Sequence, residues 1–397
     1  MGGSRLTGIY YDPYDYEIDA NPYPVWKRMR DEAPLYYNEK YDFYAVTRYA
    51  DVRDMSVDWH TYSSAYGSVL DIIRNPAMLE QIRNMLFEDP PIHDIHRAIL
   101  SRALTPRRVS DLEPRVRQLC ADFLDPFVDS GGFDFVQDFG MKLPMMVIGA
   151  LLGVPEEDQE MVRQTADELL HIDEGESMTS MSPHIKMAEY MTGLVAERRK
   201  TPTDDFISVL THADIETPDG TRKLEDHELL NFITLIAGAG NETVARLMGW
   251  AGLTLAHNPD QRDILVDDRS AIPDAVEELL RYQPPSPVQA RRVMRDVEVH
   301  GQTVPAGAVM LLLTGAAGRD EREYTDPDRF DVRRGAQHMA LGFGVHFCLG
   351  AALARLEGRV GIEEFLARFP KWEVDEDRME LVHTSTVRGP AKLPISV

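Results

Sequence analysis

The sequence predicts a mainly α-helical chain with small β-sheets at its edge, and three observations carry that expectation. From His93 to about Pro202, apolar residues recur at helical spacing in segment after segment. A second tract, Glu225 to His257, is apolar nearly all round, as a buried helix should be. The strand-like pieces are short and sit beside proline or glycine.

The elements follow in chain order. Residues 22–33 read as a short helix opening on proline, which a first turn tolerates because no intrahelical bond is due from its nitrogen. Strands follow at Leu35–Tyr37 and Asp42–Val46, then a long loop from about Ser63 to Asp89. The helical tract breaks at Gly131-Gly132, at Gly153-Val154-Pro155 and across Asp173–Pro183. Asn258-Pro259 ends the long helix and starts another, and the helix Ile272–Tyr282 stops at Pro284-Pro285. Strand-like Val297–His300 and Val309–Leu313 flank a turn at Pro305-Ala306-Gly307. The last helix reaches about Phe369 and the tail ends in short strands. No repeat or linker divides residues 1–397, so one domain is expected.

Bulk properties narrow the function. Among 397 residues, 43% are apolar and 27% charged, the proportions of a globular chain with a sizeable core. Lys and Arg number 42 against 66 Asp and Glu, a net charge of −24, which argues against binding nucleic acid or an anionic membrane. Residues 1–20 lack a signal-like apolar run, and Leu229 to Gly240 is too short to span a bilayer, so an unanchored cytoplasmic protein is expected. Only Cys120 and Cys348 occur, which removes zinc fingers, iron–sulfur clusters and disulfide scaffolds. Cys120 falls in a stripe with Val116, Leu119, Phe123 and Phe127 and reads as core.

Cys348 is different. It lies in Ala340-Leu341-Gly342-Phe343-Gly344-Val345-His346-Phe347-Cys348-Leu349-Gly350-Ala351, just ahead of the helix-forming run Ala351 to Glu357. The glycines allow a tight loop and close approach of a flat group. A thiolate there meets the positive end of a helix and loop N–H donors, which suits one axial position of a haem iron. A second unusual run, Ala239-Gly240-Asn241-Glu242-Thr243, puts a carboxylate and a hydroxyl inside the long apolar helix. With Gly238 and Gly240 beside it, a local opening of the helical hydrogen-bond ladder is expected. Glu278 and Arg281 stand three apart on one helix face, spacing that a surface ion pair would also satisfy.

The cysteine loop resembles that of the cytochrome P450 superfamily, the haem-thiolate monooxygenases, in its soluble bacterial form. The resemblance covers essentially the whole chain and implies a triangular prism of helices around haem b (iron protoporphyrin IX). It makes Cys348 the iron ligand, with Phe343, Gly344 and Gly350 shaping its loop and Ala239 and Gly240 on the opposite face. Glu242 and Thr243 match the family's acid–alcohol pair, which delivers protons during O2 cleavage. The run Asp89 to Arg97 matches the propionate-binding helix, with His93 and Arg97 as donors and His96 beside the pattern; Arg291 and His346 fit two further donors. Glu278 and Arg281 are implied to be buried and locked to a third member, Arg329 in Pro327-Asp328-Arg329-Phe330, as structural support for the cysteine loop.

By position in the family, substrate contacts fall in Tyr62–Leu86, Leu169–Tyr190, Ser286–Gln289 and Thr384–Val387, with Ile236, Ala239, Val288, Gln289 and Thr386 as pocket residues. Met178, Met181, Met187 and Met191 suggest an adaptable apolar lid. The implied substrate is a hydrophobic small molecule. Electrons are implied to come from a separate ferredoxin or flavodoxin with an NAD(P)H reductase, because no flavin or nicotinamide fingerprint appears. Arg102, Arg107, Arg108, Arg355 and Arg359 are candidates for a basic docking patch on a monomeric enzyme. Leu341 departs from the aromatic usual at that place, Val244 from the usual hydroxyl and Ile92 from a common acid.

Overall fold

Thirty-two residues, Asp226–His257, form one uninterrupted helix against which much of the rest packs. Its start is fixed reciprocally: the Glu225 side chain caps the first turn while the Glu228 carboxylate accepts from the Glu225 N–H at 2.8 Å. The structure is a computed structural model that describes residues 8–81, 84–159, 161–162, 165, 181–217, 220–383 and 386–397. Helices Lys142–Leu152, Ile272–Tyr282 and Ala351–Arg368 lie against the long one. Close approach needs small residues at the crossings. A Cβ on Gly240 would stand 2.7 Å from Ile148 Cδ1, and one on Gly361 would stand 2.8 Å from Met248 Cε.

The expected opening of the ladder at Gly238 and Gly240 is not there. The helix is continuous, and the Thr243 hydroxyl donates to the Ala239 carbonyl at 2.7 Å, sharing that acceptor rather than breaking the ladder. Gly240 is accounted for by packing against Ile148, whereas Gly238 has nothing within 4 Å of its would-be Cβ. Gly238 and Ala239 are exposed in a helix buried from Val244 onward, so a space opens on this side.

Helix and strand positions otherwise follow the sequence closely, as at Tyr23–Glu32 and Ile272–Tyr282. Gly153, in the left-handed region at φ 82°, ends Lys142–Leu152. The segment expected as a loop carries short elements instead: strand Tyr62–Ser63, helices Leu70–Ile73 and Pro76–Gln81, and a turn of 3-10 helix at Met85–Phe87. Strand Gln289–Val293 is an addition. It lies in a five-stranded sheet in the order Leu35–Asn38, Phe43–Val46, Val309–Leu312, Gln289–Val293, Tyr62–Ser63. Only the pairing of Met310–Leu312 with Tyr44–Val46 is parallel. Among the described residues no helix is long and apolar enough to cross a membrane. Cys120 is fully buried and its thiol is pushed well up by burial, so it is an inert core residue.

Glu278 and Arg281 are 3% and 1% exposed and joined by two bonds, at 2.7 and 2.8 Å. The expected third member, Arg329, is corrected. Its side chain is exposed, and only its carbonyl takes part, accepting from Arg281 and Arg334. The third guanidinium is Arg334, whose Nε donates to Glu278 Oε1 at 3.1 Å, beside the Asp331 N–H at 3.0 Å. Four residues of meander separate the two arginines, and the chain turns so that the later one faces inward. Arg281 also donates to the carbonyls of Gly318 and Pro327, so the carboxylate and guanidinium are saturated. Removing one partner leaves a buried charge unpaired. Arg281→Ala is therefore expected to lower unfolding free energy by about 3–5 kcal/mol. Arg334→Ala should also destabilise and Arg329→Ala leave the melting temperature unchanged; urea and thermal melts of the three variants check this ordering.

Candidate functional site

Three separated segments converge on one space. Helix Ile92–Ala103 brings His93 and Arg97, strand Gln289–Val293 brings Arg291, and the cysteine loop brings His346 and Cys348. The His93 and His346 rings lie 4.5 Å apart between centroids. His93 is fully buried; its Nδ1 meets Asp94 Oδ1 at 3.0 Å, but its Nε2 has no hydrogen-bond partner among the described residues. His346 Nε2 is buried and unpartnered in the same way. Arg291 is buried, and its one hydrogen-bond partner among the described residues is the Ala290 carbonyl at 2.7 Å. Among the described residues neither Arg97 nor Arg291 has a carboxylate within ion-pairing distance.

Electrostatics show the imbalance. Burial, with the positive charges of Arg291, His93 and Arg97, drives the His346 imidazole down to about 3. Burial lowers Arg291 to about 10 although Asp89 pulls the other way. Burial also raises the Cys348 thiol, opposed by the Gly350 N–H and the charges of Arg97 and Arg355. Donors with no acceptor surround a thiol whose neighbours favour its anion.

The loop that carries Cys348 is held from several sides. The Cys348 N–H donates to the Leu341 carbonyl at 2.7 Å, and Gly344–His346 form a turn of 3-10 helix. Gly342 has φ 75°, and a Cβ there would stand 2.9 Å from the His346 carbonyl oxygen. Cys348 then sits just before Gly350, the N-cap of Ala351–Arg368. Leu341 is buried in the core that Cys348 also touches. Phe343 is half-buried against the neighbouring core cluster.

The acid–alcohol pair lies where the long helix is exposed. Glu242 and Thr243 are half-buried, one turn beyond Ala239. Arg246, a turn further, is buried and feels the charge of Glu242. Of the substrate residues, Val288 and Thr386 meet: the Thr386 hydroxyl donates to the Val288 carbonyl at 3.3 Å. Gln289 spends its amide on Ser286 Oγ at 2.9 Å, and Ile236 packs at the core margin. Met187 and Met191 join the core rather than a lid, Met178 lies outside the described residues, and nothing is described of the Met181 side chain. The basic patch is largely neutralised. Arg355 is bound twice by Glu277 at 2.7 Å, Arg359 by Glu113 and Glu363, and Arg108 by Asp204. Arg102 and Arg107 stay exposed, the latter 3.9 Å from Asp111.

Residues 169–394 match the family described as cytochrome P450. The chain belongs to the cytochrome P450 family. It is 42% identical over 394 residues to the Mycobacterium tuberculosis protein named as cytochrome P450 123, covering 98% of this chain and 97% of that one. It is 37% identical to the erythromycin C-12 hydroxylase of Saccharopolyspora erythraea, covering 92% of each. The solved cytochrome P450 PksS of the bacillaene polyketide synthase of Bacillus subtilis superposes with a TM-score of 0.88 at 30% identity, over 98% of this chain and 99% of that one. This P450 is accordingly a bacterial haem monooxygenase that uses O2.

The residues present fit a haem. A haem's two propionates would offer acceptors to His93 Nε2, His346 Nε2, Arg97 and Arg291, and the Cys348 sulfur would offer its iron a soft ligand. Sequence reasoning missed Arg334, five residues past the arginine it chose; the pair Arg333-Arg334 ahead of Gly335 was the available signal. Gly342→Ala should strain the left-handed turn and push on the His346 carbonyl. A clearly lower Soret-to-protein absorbance ratio in that purified variant, with expression retained, is the expected readout.

Proposed function

We propose that this P450 inserts one oxygen atom of O2 into a hydrophobic small molecule, with Cys348 as the axial ligand of haem b and Glu242 and Thr243 delivering protons. The observation that carries the reading is the meeting of Cys348 with two buried imidazole nitrogens, His93 Nε2 and His346 Nε2, and two guanidiniums, Arg97 and Arg291, that have no carboxylate within ion-pairing distance among the described residues. When bound, haem iron with a thiolate ligand supplies the oxygen activation: one atom enters the substrate and the other leaves as water with two protons and two electrons.

The chain's own groups supply the rest. Gly350 directs its N–H at the Cys348 sulfur and so steadies a thiolate. Thr243, because its hydrogen is committed to the Ala239 carbonyl, presents oxygen lone pairs to the open side and acts as an acceptor that orients a water. Glu242, half-buried on the preceding residue, is placed to bring protons from solvent to that water. Small Gly238 and Ala239 leave room above, and Val288 with Thr386 closes part of the apolar wall. Hydroxylation of erythromycin by one relative, and corticosterone held by a solved P450 of Bacillus megaterium at 30% identity, favour a bulky alicyclic substrate. The electrons are assigned to a ferredoxin or flavodoxin reduced by an NAD(P)H reductase, with Arg102 and Arg107 as its exposed cationic contacts.

Cys348→Ala tests the ligand. The wild type should give the strongly red-shifted ferrous–CO band of a thiolate ligand and the variant should lack it; retention of the band would remove Cys348 from the iron. Thr243→Ala tests proton delivery. With an orienting acceptor lost, NAD(P)H consumption should continue while product per NAD(P)H falls by about tenfold, within the usual range for one acid–base group. Unchanged coupling would take Thr243 out of the mechanism.

A further inference from the structure

A buried acid–imidazole pair stands behind the nitrogen donors without belonging to them. His96 Nδ1 and Glu88 Oε2 are 2.7 Å apart, with side chains 13% and 9% exposed. The two residues differ in their supports. His96 lies on Ile92–Ala103, three residues after His93 and next to Arg97, with its ring edge-on to Phe232 of the long helix at 5.0 Å. Glu88 lies in the chain entering that helix. The next residue, Asp89, accepts from Ser63 Oγ at 2.5 Å and from the Ser64 N–H at 3.0 Å, and its carbonyl accepts the His93 N–H at 3.2 Å. Glu228 also attracts His96 from the long helix, but two bonds to Arg222 at 2.7 and 2.8 Å hold that carboxylate elsewhere.

We propose that Glu88 is a positioning residue for the haem donors, holding the His93–Arg97 turn through His96. A carboxylate–imidazole bond in a dry place is directional and charge-assisted, and such outer partners fix the orientation of the groups that touch a bound metal centre. The inference rests on the reading that His93, Arg97, Arg291 and His346 hold the haem.

The test follows haem transfer from the purified holoprotein to excess apomyoglobin, together with the iron midpoint potential and the melting temperature. Glu88→Leu should lose haem about tenfold faster than wild type, the lower end of what loss of an outer partner costs. Glu88→Gln keeps an acceptor oxygen and should stay within about threefold of wild type, since only the charge assistance goes. The double variant Glu88→Leu with His96→Leu replaces the pair by apolar residues, which buried sites tolerate, and should recover the melting temperature. It should still shed haem about tenfold faster and show a displaced potential, because packing is restored and orientation is not. Haem retention and potential like the wild type in the double variant would overturn the proposal and reduce the pair to packing. Arg97→Gln separates the two layers: unchanged haem loss there would sink the donor reading itself, whereas fast loss there beside a normal Glu88→Leu would sink only the role of Glu88.

Discussion

Nitrogen donors gathered in a dry place with too few protein acceptors among the described residues are the constraint on which this structure turns. Arg291 is buried with a single main-chain partner, and two imidazole nitrogens beside it have none. Such an arrangement is costly unless something anionic completes it. A dianionic, flat, metal-bearing group would do so, its carboxylates meeting the donors and its metal the cysteine. The three contributing segments are far apart in sequence, so holding them in register is the principal task of the surrounding fold.

That register is set from two adjacent residues of the helix Ile272–Tyr282. Successive helix positions point about 100° apart, so Glu277 and Glu278 face different neighbours. Glu278 turns inward to Arg281 and Arg334 and anchors the meander that leads into the cysteine loop. Glu277 faces the helix that leaves the loop, taking Arg355 at 2.7 Å and His338 at 3.2 Å. Burial alone would raise its carboxyl, but those partners outweigh burial and hold it at about 2. The cysteine loop is therefore clamped at its approach and at its exit from a single rigid helix.

Much of this was legible in the sequence wherever the signal was local. The cysteine loop, the helix ends at Pro284 and Gly153, and the burial of the long helix beyond Val244 all follow from residues within a turn or two of each other. Reading failed where the decision was tertiary. Arg329 and Arg334 are equivalent in type, and only the path of the meander selects the one that faces Glu278. The strand Gln289–Val293 forms because Val309–Leu312 and Tyr62–Ser63 flank it, partners that no nearby residue announces. His96 stood outside the sequence pattern because its partner, Glu88, sits in a loop and the bond crosses a change of element. The glycines of the long helix suggested a broken ladder, but one of them is small to admit Ile148 and the other faces empty space.

Those two glycines differ in what change they would admit. Gly240 is wedged against Ile148, so any side chain there must displace a neighbouring helix. Gly238 meets nothing, so an added methyl would gain helix propensity and intrude only on the vacant side. Natural drift or laboratory selection thus has one position, half a turn from an immovable one, at which to add volume to the open side of the long helix while the framework stays intact.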